Sequence, residues 1–301
     1  MYTPPIQCKI LYGYPLMTAQ VIDGKAIATQ IRHEIKHHIA QYTKKGLRQP
    51  TLAVILLGND PASAIYVQNK HQACEAVGIH SLNYSLSPQM TQQELINTIQ
   101  QLNQDQTVDG ILLQLPLPPH IDSDDVLEHI HPDKDVDGFH PFNLGRLAQG
   151  RPVLRPCTPF GVMTLLDSIG QPYQGKHAVI IGASNIVGKP MALELLKVGC
   201  TITLCHSQTV DILSHIATAD ILVSAVGKPG MIKGNAIKPN ATVIDVGITR
   251  LPNGTITGDV EFASACQTAK WITPVPGGVG PMTVASLLKN TMTTYRHHHD
   301  L

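Results

Sequence analysis

A chain of 301 residues with 22 basic and 22 acidic side chains carries no formal charge, which removes the electrostatic case for nucleic acid or an anionic membrane surface as a partner. Its 43% hydrophobic content, with only 4% aromatic and 15% charged residues, excludes a disordered or fibrous chain and describes an aliphatic core large enough for two domains. Small-molecule chemistry is what remains.

The stretch "CKILYGYPLM" near the start is far shorter than the roughly 20 apolar residues a membrane span needs, and no small-residue cleavage site follows it, so residues 1–17 read as an N-terminal extension. Six cysteines (Cys8, Cys74, Cys157, Cys200, Cys205, Cys266) include no Cys-x-x-Cys pair, so neither a zinc knuckle nor a disulfide framework is expected, and reduced thiols fit the cytoplasm. His37 and His38 fall on a polar helix face and His297 to His299 at a terminus, so no metal is expected there.

In chain order, "AIATQIRHEIKHHIAQY" places Ile27, Ile31, Ile35 and Ile39 at four-residue steps, an amphipathic helix closed by Gly46. The aliphatic run "TLAVILLG" (51–58) suits a buried parallel strand. Asp60 then caps a helix whose first turn holds Pro61 and which Gly78 stops. On it, Tyr66 and Lys70 stand four residues apart and share one face, either as a solvated surface pair or placed to meet one small molecule. Thr91 and Glu94 form a capping box for "QELINTIQQLN", and "GILLQLPL" (110–117) is the next buried strand. Gln114 is the odd residue in that strand; an unpartnered buried amide costs about 1–3 kcal/mol, so it is either bonded to backbone at a strand end or met by a polar group such as Lys70 or a ligand. In "HPDKDVDGFHP" (131–141), Asp133, Asp135, Asp137 and Gly138 match the opening of a calcium loop, but the last position is Leu144 where a bidentate glutamate is needed. A carboxylate there can instead face paired nitrogen donors.

A second unit starts around "RPCTPFGVMTLLDSIG". A strand (177–181) leads to a glycine turn at Gly182 and Gly188, a helix, and a strand ending near His206. This is a dinucleotide-type βαβ, although Ser184 stands where the second glycine of Gly-x-Gly-x-x-Gly would be. Amides after Gly182 would face a pyrophosphate at the helix N-terminus. No acidic residue ends the second strand; His206, Ser207 and Gln208 do, which favours NADP over NAD. The runs "DILVSAV" (220–226) and "ATVIDVGI" (241–248) complete the sheet. The expected fold is therefore α/β, with two domains of parallel-sheet βαβ units, the second a Rossmann-like nucleotide-binding domain, and a cleft between them. A short-chain dehydrogenase is excluded by order, because Tyr66 precedes Gly182. A different NAD(P)-linked dehydrogenase and a catalytically silent nucleotide-binding protein stay open on these residues alone.

The stretches "VIDGKAIA" (21–28), "VILLGNDPASAIYVQNK" (54–70), "DGILLQLPLP" (109–118), "KDVDGFHP" (134–141), "PCTPFGVM" (156–163), "VIIGASNIVGKPM" (179–191), "TLCHSQT" (203–209), "VIDVGI" (243–248) and "PVPGGVGPMT" (274–283) closely resemble, in family order, the bifunctional methylenetetrahydrofolate dehydrogenase/cyclohydrolase family. The resemblance implies oxidation of 5,10-methylenetetrahydrofolate with NADP+ to the methenyl form, then hydrolysis to 10-formyltetrahydrofolate, with no metal. It also implies a catalytic set of Lys70 as general acid/base, Gln114 as the group that positions and tunes it, and Tyr66 packing on the substrate. Asp137 would bind the aminopyrimidine edge of the pterin, and Pro276, Gly277, Gly278, Val279, Gly280 and Thr283 would line the folate site. Gly182, Ala183, Ser184, Ser207 and Ile248 match cofactor contacts, while Gln208 departs from the basic residue many relatives carry. The implied domains are a catalytic, folate-binding one at 18–155, with the C-terminal helix 281–296 returning to it, and an NAD(P)-binding one at 156–280. A cytoplasmic homodimer joined through the nucleotide domain is expected by the same resemblance.

Overall fold

The computed structural model describes residues 19–58 and 60–301; the extension read at residues 1–17 lies outside them. In chain order the elements begin with β1 (Gln20–Val21), α1 (Gly24–Lys44), β2 (Thr51–Leu57), α2 (Pro61–Val77), β3 (His80–Leu86), α3 (Gln92–Gln104) and β4 (Gly110–Leu113). Next come α4 (Ser123–Glu128), α5 (Pro141–Ala148), α6 (Cys157–Ser168), β5 (His177–Ile181), α7 (Gly188–Lys197), β6 (Thr201–Cys205), α8 (Ile212–Ile216) and β7 (Ile221–Ser224). The chain finishes with β8 (Thr242–Asp245), β9 (Thr249–Arg250), β10 (Ile256–Thr257), α9 (Phe262–Ala265), β11 (Trp271–Ile272) and α10 (Val279–His298). Two compact units result: Thr29–Cys157 with Val284–Leu301, and the chain up to Ala28 with Thr158–Thr283.

The first of these units is built on a three-stranded parallel sheet in the order β3-β2-β4. The register runs from Thr51↔His80 to Leu57↔Leu86 on one side of β2 and from Leu52↔Gly110 to Ile55↔Leu113 on the other. As the central strand, β2 is buried along nearly its whole length, which is why its sequence is unbroken aliphatic. The α3 stripe of Leu95, Ile96, Ile99 and Leu102 shares one core with Ala53, Ile55, Ile111 and Leu113. Local chemistry sets the helix ends. The Asp60 carboxylate accepts the Ser63 amide at 2.7 Å, Gly78 closes α2 in the left-handed conformation, and the Thr91–Glu94 capping box is formed in both directions. Such caps are each worth about 1 kcal/mol. The buried Lys134 donates to the carbonyls of Leu102, Asn103 and Asp105 at 3.0, 2.9 and 2.7 Å, ending α3 with a cation; burial pulls its pKa down.

The C-terminal helix is clasped to this unit at its far end. Tyr295 Oη donates to the Arg48 carbonyl at 2.7 Å, and Arg48 grips the fully buried Asp109 through two bonds of 2.6 and 2.8 Å. Asp109 also accepts the Thr51 amide at 2.8 Å, and His298 Nδ1 lies 3.2 Å from it.

The other unit is a six-stranded sheet, β1-β11-β8-β7-β5-β6, parallel at every pairing. Its core includes Val179, Ile181, Leu222, Val243 and Ile272. The aliphatic runs at 177–181, 220–226 and 241–248 thus become adjacent strands, as their composition implies.

Three features depart from expectation. The run at 110–117 forms a ladder only to Leu113, so Gln114 lies just past a strand end, its amide still donating to Ile55 O at 2.9 Å. The strand β3 has no aliphatic run, because it is a sheet edge and only partly buried. Finally, β1 belongs to the six-stranded sheet rather than to the folate-binding segment expected from residue 18 onward, because Gln20 and Val21 pair with Trp271 and Ile272.

Candidate active site

The strand end that displaces Gln114 from the ladder also gives it a function. Its Nε2 donates to Leu115 O at 2.6 Å, which fixes the carboxamide so that Oε1 faces away and accepts from Lys70 Nζ at 3.0 Å. The polar partner that a buried glutamine demands is therefore Lys70, delivered from α2 by the register that sets β4 beside β2. One helical turn earlier, Tyr66 leaves 46% of its surface exposed, unusual for a large aromatic side chain and suited to stacking on a flat ligand. Cys74, one turn after Lys70, is fully buried, and burial pushes its thiol up to about 12, so it is no nucleophile.

The loop that imitates a calcium site spends its carboxylates differently. Asp135 is buried and collects the amides of Gly138, Phe139 and His140 at 3.1, 3.2 and 2.8 Å, plus Asn143 Nδ2 at 2.9 Å. It closes the turn that presents Asp137. The Asp137 carboxyl lies close enough to Lys70 to feel its charge; burial nevertheless pushes its pKa up, Lys70 pulls the other way, Asp135 adds to the rise and a Cys157 hydrogen bond opposes it. Tyr66, Lys70, Gln114 and Asp137 are thus gathered in one unit, with a base-capable amine beside a neutral amide and a carboxyl of perturbed acidity.

In the other unit, Gly182 adopts φ +111°, and a Cβ there would collide with the Ala225 carbonyl; a Cβ at Gly188 would collide with the Gly182 carbonyl. Both glycines therefore let α7 start hard against the end of β5, the geometry of a pyrophosphate cradle. Ser184 stands in for the missing glycine by accepting the amides of Val187 and Gly188 at 3.1 and 3.3 Å, and the amides of Ala183 and Ser184 have no acceptor among the described residues. Those two N–H groups at a helix start fit a dinucleotide phosphate. Beyond β6, His206 and Thr209 close a turn, with the His206 amide on Thr209 Oγ1 at 2.8 Å, that leaves Ser207 and Gln208 exposed and no acidic side chain among residues 206–209.

The stretch from Pro276 onward is narrow by construction. Gly277 takes φ +104°, its carbonyl accepts the Lys25 amide at 3.0 Å, and a Cβ on Gly278 would stand 2.5 Å from the Pro274 carbonyl oxygen. Thr283 Oγ1 meets Thr158 Oγ1 at 2.9 Å. A Cβ on Gly280 would touch Ile248 at 3.8 Å, so the expected folate-lining loop and one expected cofactor contact are neighbours within this unit.

Sequence reasoning passed over two carboxylates here. Asp259, fully buried, accepts Ser224 Oγ and the amides of Val226 and Lys228 at 2.8, 2.8 and 2.7 Å. Asp245 accepts the amides of Gly247, Asp259 and Val260 at 3.0, 3.0 and 2.8 Å, and burial pushes its pKa up to about 6. Together they pin the loops that follow β7 and β8, including the peptide before Ile248. The signal was an aspartate inside the otherwise apolar "ATVIDVGI". Asn290, buried on α10 and bonded to the Asp137 turn, was likewise missed.

Family models agree with this division of labour. One described as the catalytic domain of tetrahydrofolate dehydrogenase/cyclohydrolase matches residues 22–137, and one described as the NAD(P)-binding domain of the same enzymes matches residues 156–299. The bifunctional methylenetetrahydrofolate dehydrogenase/cyclohydrolase FolD of Campylobacter jejuni is 48% identical, with 93% of this chain and 99% of that one covered and a TM-score of 0.91. A 5,10-methylenetetrahydrofolate dehydrogenase from the silkworm Bombyx mori is 41% identical over 94% of this chain and 100% of that one, with a TM-score of 0.88. The Trypanosoma brucei dehydrogenase-cyclohydrolase, solved with NADP and an inhibitor, is 39% identical over 94% of this chain and 99% of that one, with a TM-score of 0.90. The chain belongs to the bifunctional tetrahydrofolate dehydrogenase/cyclohydrolase family, using NAD(P) to oxidise 5,10-methylenetetrahydrofolate and hydrolysing the 5,10-methenyl product.

Proposed function

We propose that Lys70 is the general acid/base of the hydrolytic step, that Gln114 positions it, that Tyr66 packs against the substrate, and that Asp137 binds the aminopyrimidine edge of the pterin. The observation that carries this reading is the 3.0 Å bond from Lys70 Nζ to the fixed Gln114 Oε1. A neutral acceptor holds the amine in place without adding the charge that would keep it protonated. In hydrolysis, the Lys70 amine takes a proton from water as its oxygen attacks the methenyl carbon; a proton then goes to the ring nitrogen that leaves, and the carbon stays on the other nitrogen as a formyl group. Asp137, raised by burial, can donate or accept toward the planar N–H edge of a pterin. Pro276, Gly277, Gly278, Val279, Gly280 and Thr283 line the folate site in this reading, their glycines admitting close approach of a flat ring.

Gly182, Ala183, Ser184, Ser207 and Ile248 form the cofactor site, and NADP is preferred to NAD because the turn after β6 presents Ser207 and His206 but no carboxylate to the ribose. The chemistry NADP supplies when bound is acceptance of a hydride. This chain's residues need only hold the ring over the methylene carbon, since the two flanking nitrogens stabilise the cation formed. We further propose a cytoplasmic homodimer paired through the nucleotide-binding unit, where β6 is a sheet edge and Leu196, Val210 and Leu213 are exposed. No described helix is long and apolar enough to cross a membrane.

Hydrolysis of methenyltetrahydrofolate without nucleotide tests the central assignment. Lys70→Gln should abolish it, and an unchanged rate would overturn the role given to Lys70. Initial rates with NADP+ and NAD+ side by side test the cofactor preference; faster turnover with NAD+ at equal concentration reverses it.

A further inference from the structure

We infer that Asn290, on the C-terminal helix, is a positioning residue for Asp137 and thereby sets the affinity for the folate. This rests on the reading of Asp137 as the pterin-binding carboxyl. Asn290 is 2% exposed, and its Nδ2 donates both hydrogens to main-chain carbonyls, Val136 O at 2.8 Å and Arg155 O at 2.8 Å. Val136 immediately precedes Asp137. Arg155 begins the segment that lies along its other side, where the Cys157 amide donates to Asp137 O at 3.1 Å and the Cys157 thiol donates to Val136 O at 3.2 Å. One side chain therefore ties the two strands of chain that flank the Asp137 peptide.

The turn has no slack elsewhere. Gly138 holds φ +76°, and a Cβ there would stand 2.5 Å from the Arg155 carbonyl carbon and 2.6 Å from the Pro156 nitrogen. From the inner side, the Asp135 carboxylate takes the next three amides. The Asp137 carboxyl, held by this turn and beside the Cys157 thiol, is near enough to Lys70 to feel its charge. Removing Asn290's amide takes away a side chain bonded to both Val136 and Arg155 and leaves the Cys157 contacts to hold the two segments, and the expected consequence is a shift of the carboxyl between them. A 1 Å error at a recognition group costs far more in binding than in folding. If Asn290 only satisfied buried carbonyls, its loss would lower stability and leave the folate and nucleotide affinities in proportion.

The experiment measures KM for methylenetetrahydrofolate and for NADP+, with kcat, in Asn290→Leu, Asn290→Ser, Asp137→Asn and the doubles. Asn290→Leu keeps the volume and removes both donors; Asn290→Ser keeps one. The expected result is a folate KM raised about tenfold by Asn290→Leu and less by Asn290→Ser, with NADP+ KM unchanged and kcat within about threefold. In the Asp137→Asn background, the Asn290 substitutions should raise folate KM no further, because the group they position is already altered. Additive effects in the double variants, or equal changes in both KM values, overturn the inference. If Asn290→Leu is recovered only unfolded, the same comparison stands on Asn290→Ser. A raised folate KM in Asp137→Asn with wild-type KM in both Asn290 variants overturns the inference alone. An unchanged folate KM in Asp137→Asn overturns the underlying assignment of Asp137.

Discussion

Replacing Gln114 by glutamate keeps the shape of the side chain that faces Lys70 and changes only its charge. At the observed 3.0 Å separation, two unit charges attract by about 1.4 kcal/mol in bulk water and by about 5.5 kcal/mol at an effective dielectric of 20. Lys70 is half-buried and Gln114 buried, so the pair falls between those limits. The amide oxygen already supplies a charge-assisted bond of about 1.5–3 kcal/mol, so the extra preference for the ammonium form comes to about 2 kcal/mol, or roughly thirtyfold. Gln114→Glu should therefore hydrolyse methenyltetrahydrofolate about thirtyfold more slowly. Dehydrogenase turnover, which asks no proton of Lys70, should stay within a few-fold. The assay follows loss of the methenyl chromophore without nucleotide and, separately, formation of the reduced cofactor. Wild-type hydrolysis by the glutamate variant would refute the idea that a neutral partner matters to Lys70.

Gly182→Ala forces a methyl group onto the Ala225 carbonyl in a left-handed conformation, a strain of about 1–3 kcal/mol. The KM for NADP+ should rise about tenfold or more, while nucleotide-free hydrolysis in the same preparation is unaffected. Asp245 keeps its proton up to about 6 when folded, whereas unfolded it would lose it near 3.9. The folded state thus binds more protons between those values, and ionising Asp245 costs stability as pH rises through that window, by on the order of 3 kcal/mol. Urea titrations from pH 4 to 6 should show the wild type losing this increment relative to Asp245→Asn; a pH-independent difference would contradict it. Asp109→Asn leaves Arg48 facing an amide, and because 31% of the Arg48 side chain is exposed the loss should lie near the low end for a buried pair, about 3 kcal/mol. A thermal melt would register it as a clear drop in Tm with catalytic constants intact.

What could be read from the residues was whatever depends on near neighbours. Asp60, Gly78, Thr91 and Glu94 each do their work within four residues, so the ends of α2 and α3 were legible before any fold was known. Gly182 and Gly188 were legible for the same reason, since a strand running into a helix leaves no room for a side chain. The amide of Gln114 announced a polar partner, and the partner was Lys70. By contrast, β1 and β11 are two residues each and exist only because they pair with distant chain, so no local pattern marks them. The three aspartates of the 133–137 loop show the same limit from the other side. Composition suggested an ion site, but Asp135 faces inward to main-chain amides while Asp137 lies within reach of the Lys70 charge, a division set by the backbone and invisible in the letters.

Neither unit is a continuous piece of chain, and this bears on how the protein is made. Gln20 and Val21 leave the ribosome some 250 residues before Trp271 and Ile272, the residues they pair with in the sheet register. At a translation rate of roughly 5–20 residues per second, that edge waits on the order of 10–50 s for its mate. The Asp137 turn waits for Asn290 across 154 residues, on the order of 8–30 s at the same rate, and Arg48 for Tyr295 across 247. Both halves of the enzyme are therefore finished almost together, when the final helix emerges. A nascent chain stalled after β4 but before β11 carries a finished three-stranded sheet with no C-terminal helix to clasp it and a six-stranded sheet still lacking strands, its apolar faces open to chaperones and proteases.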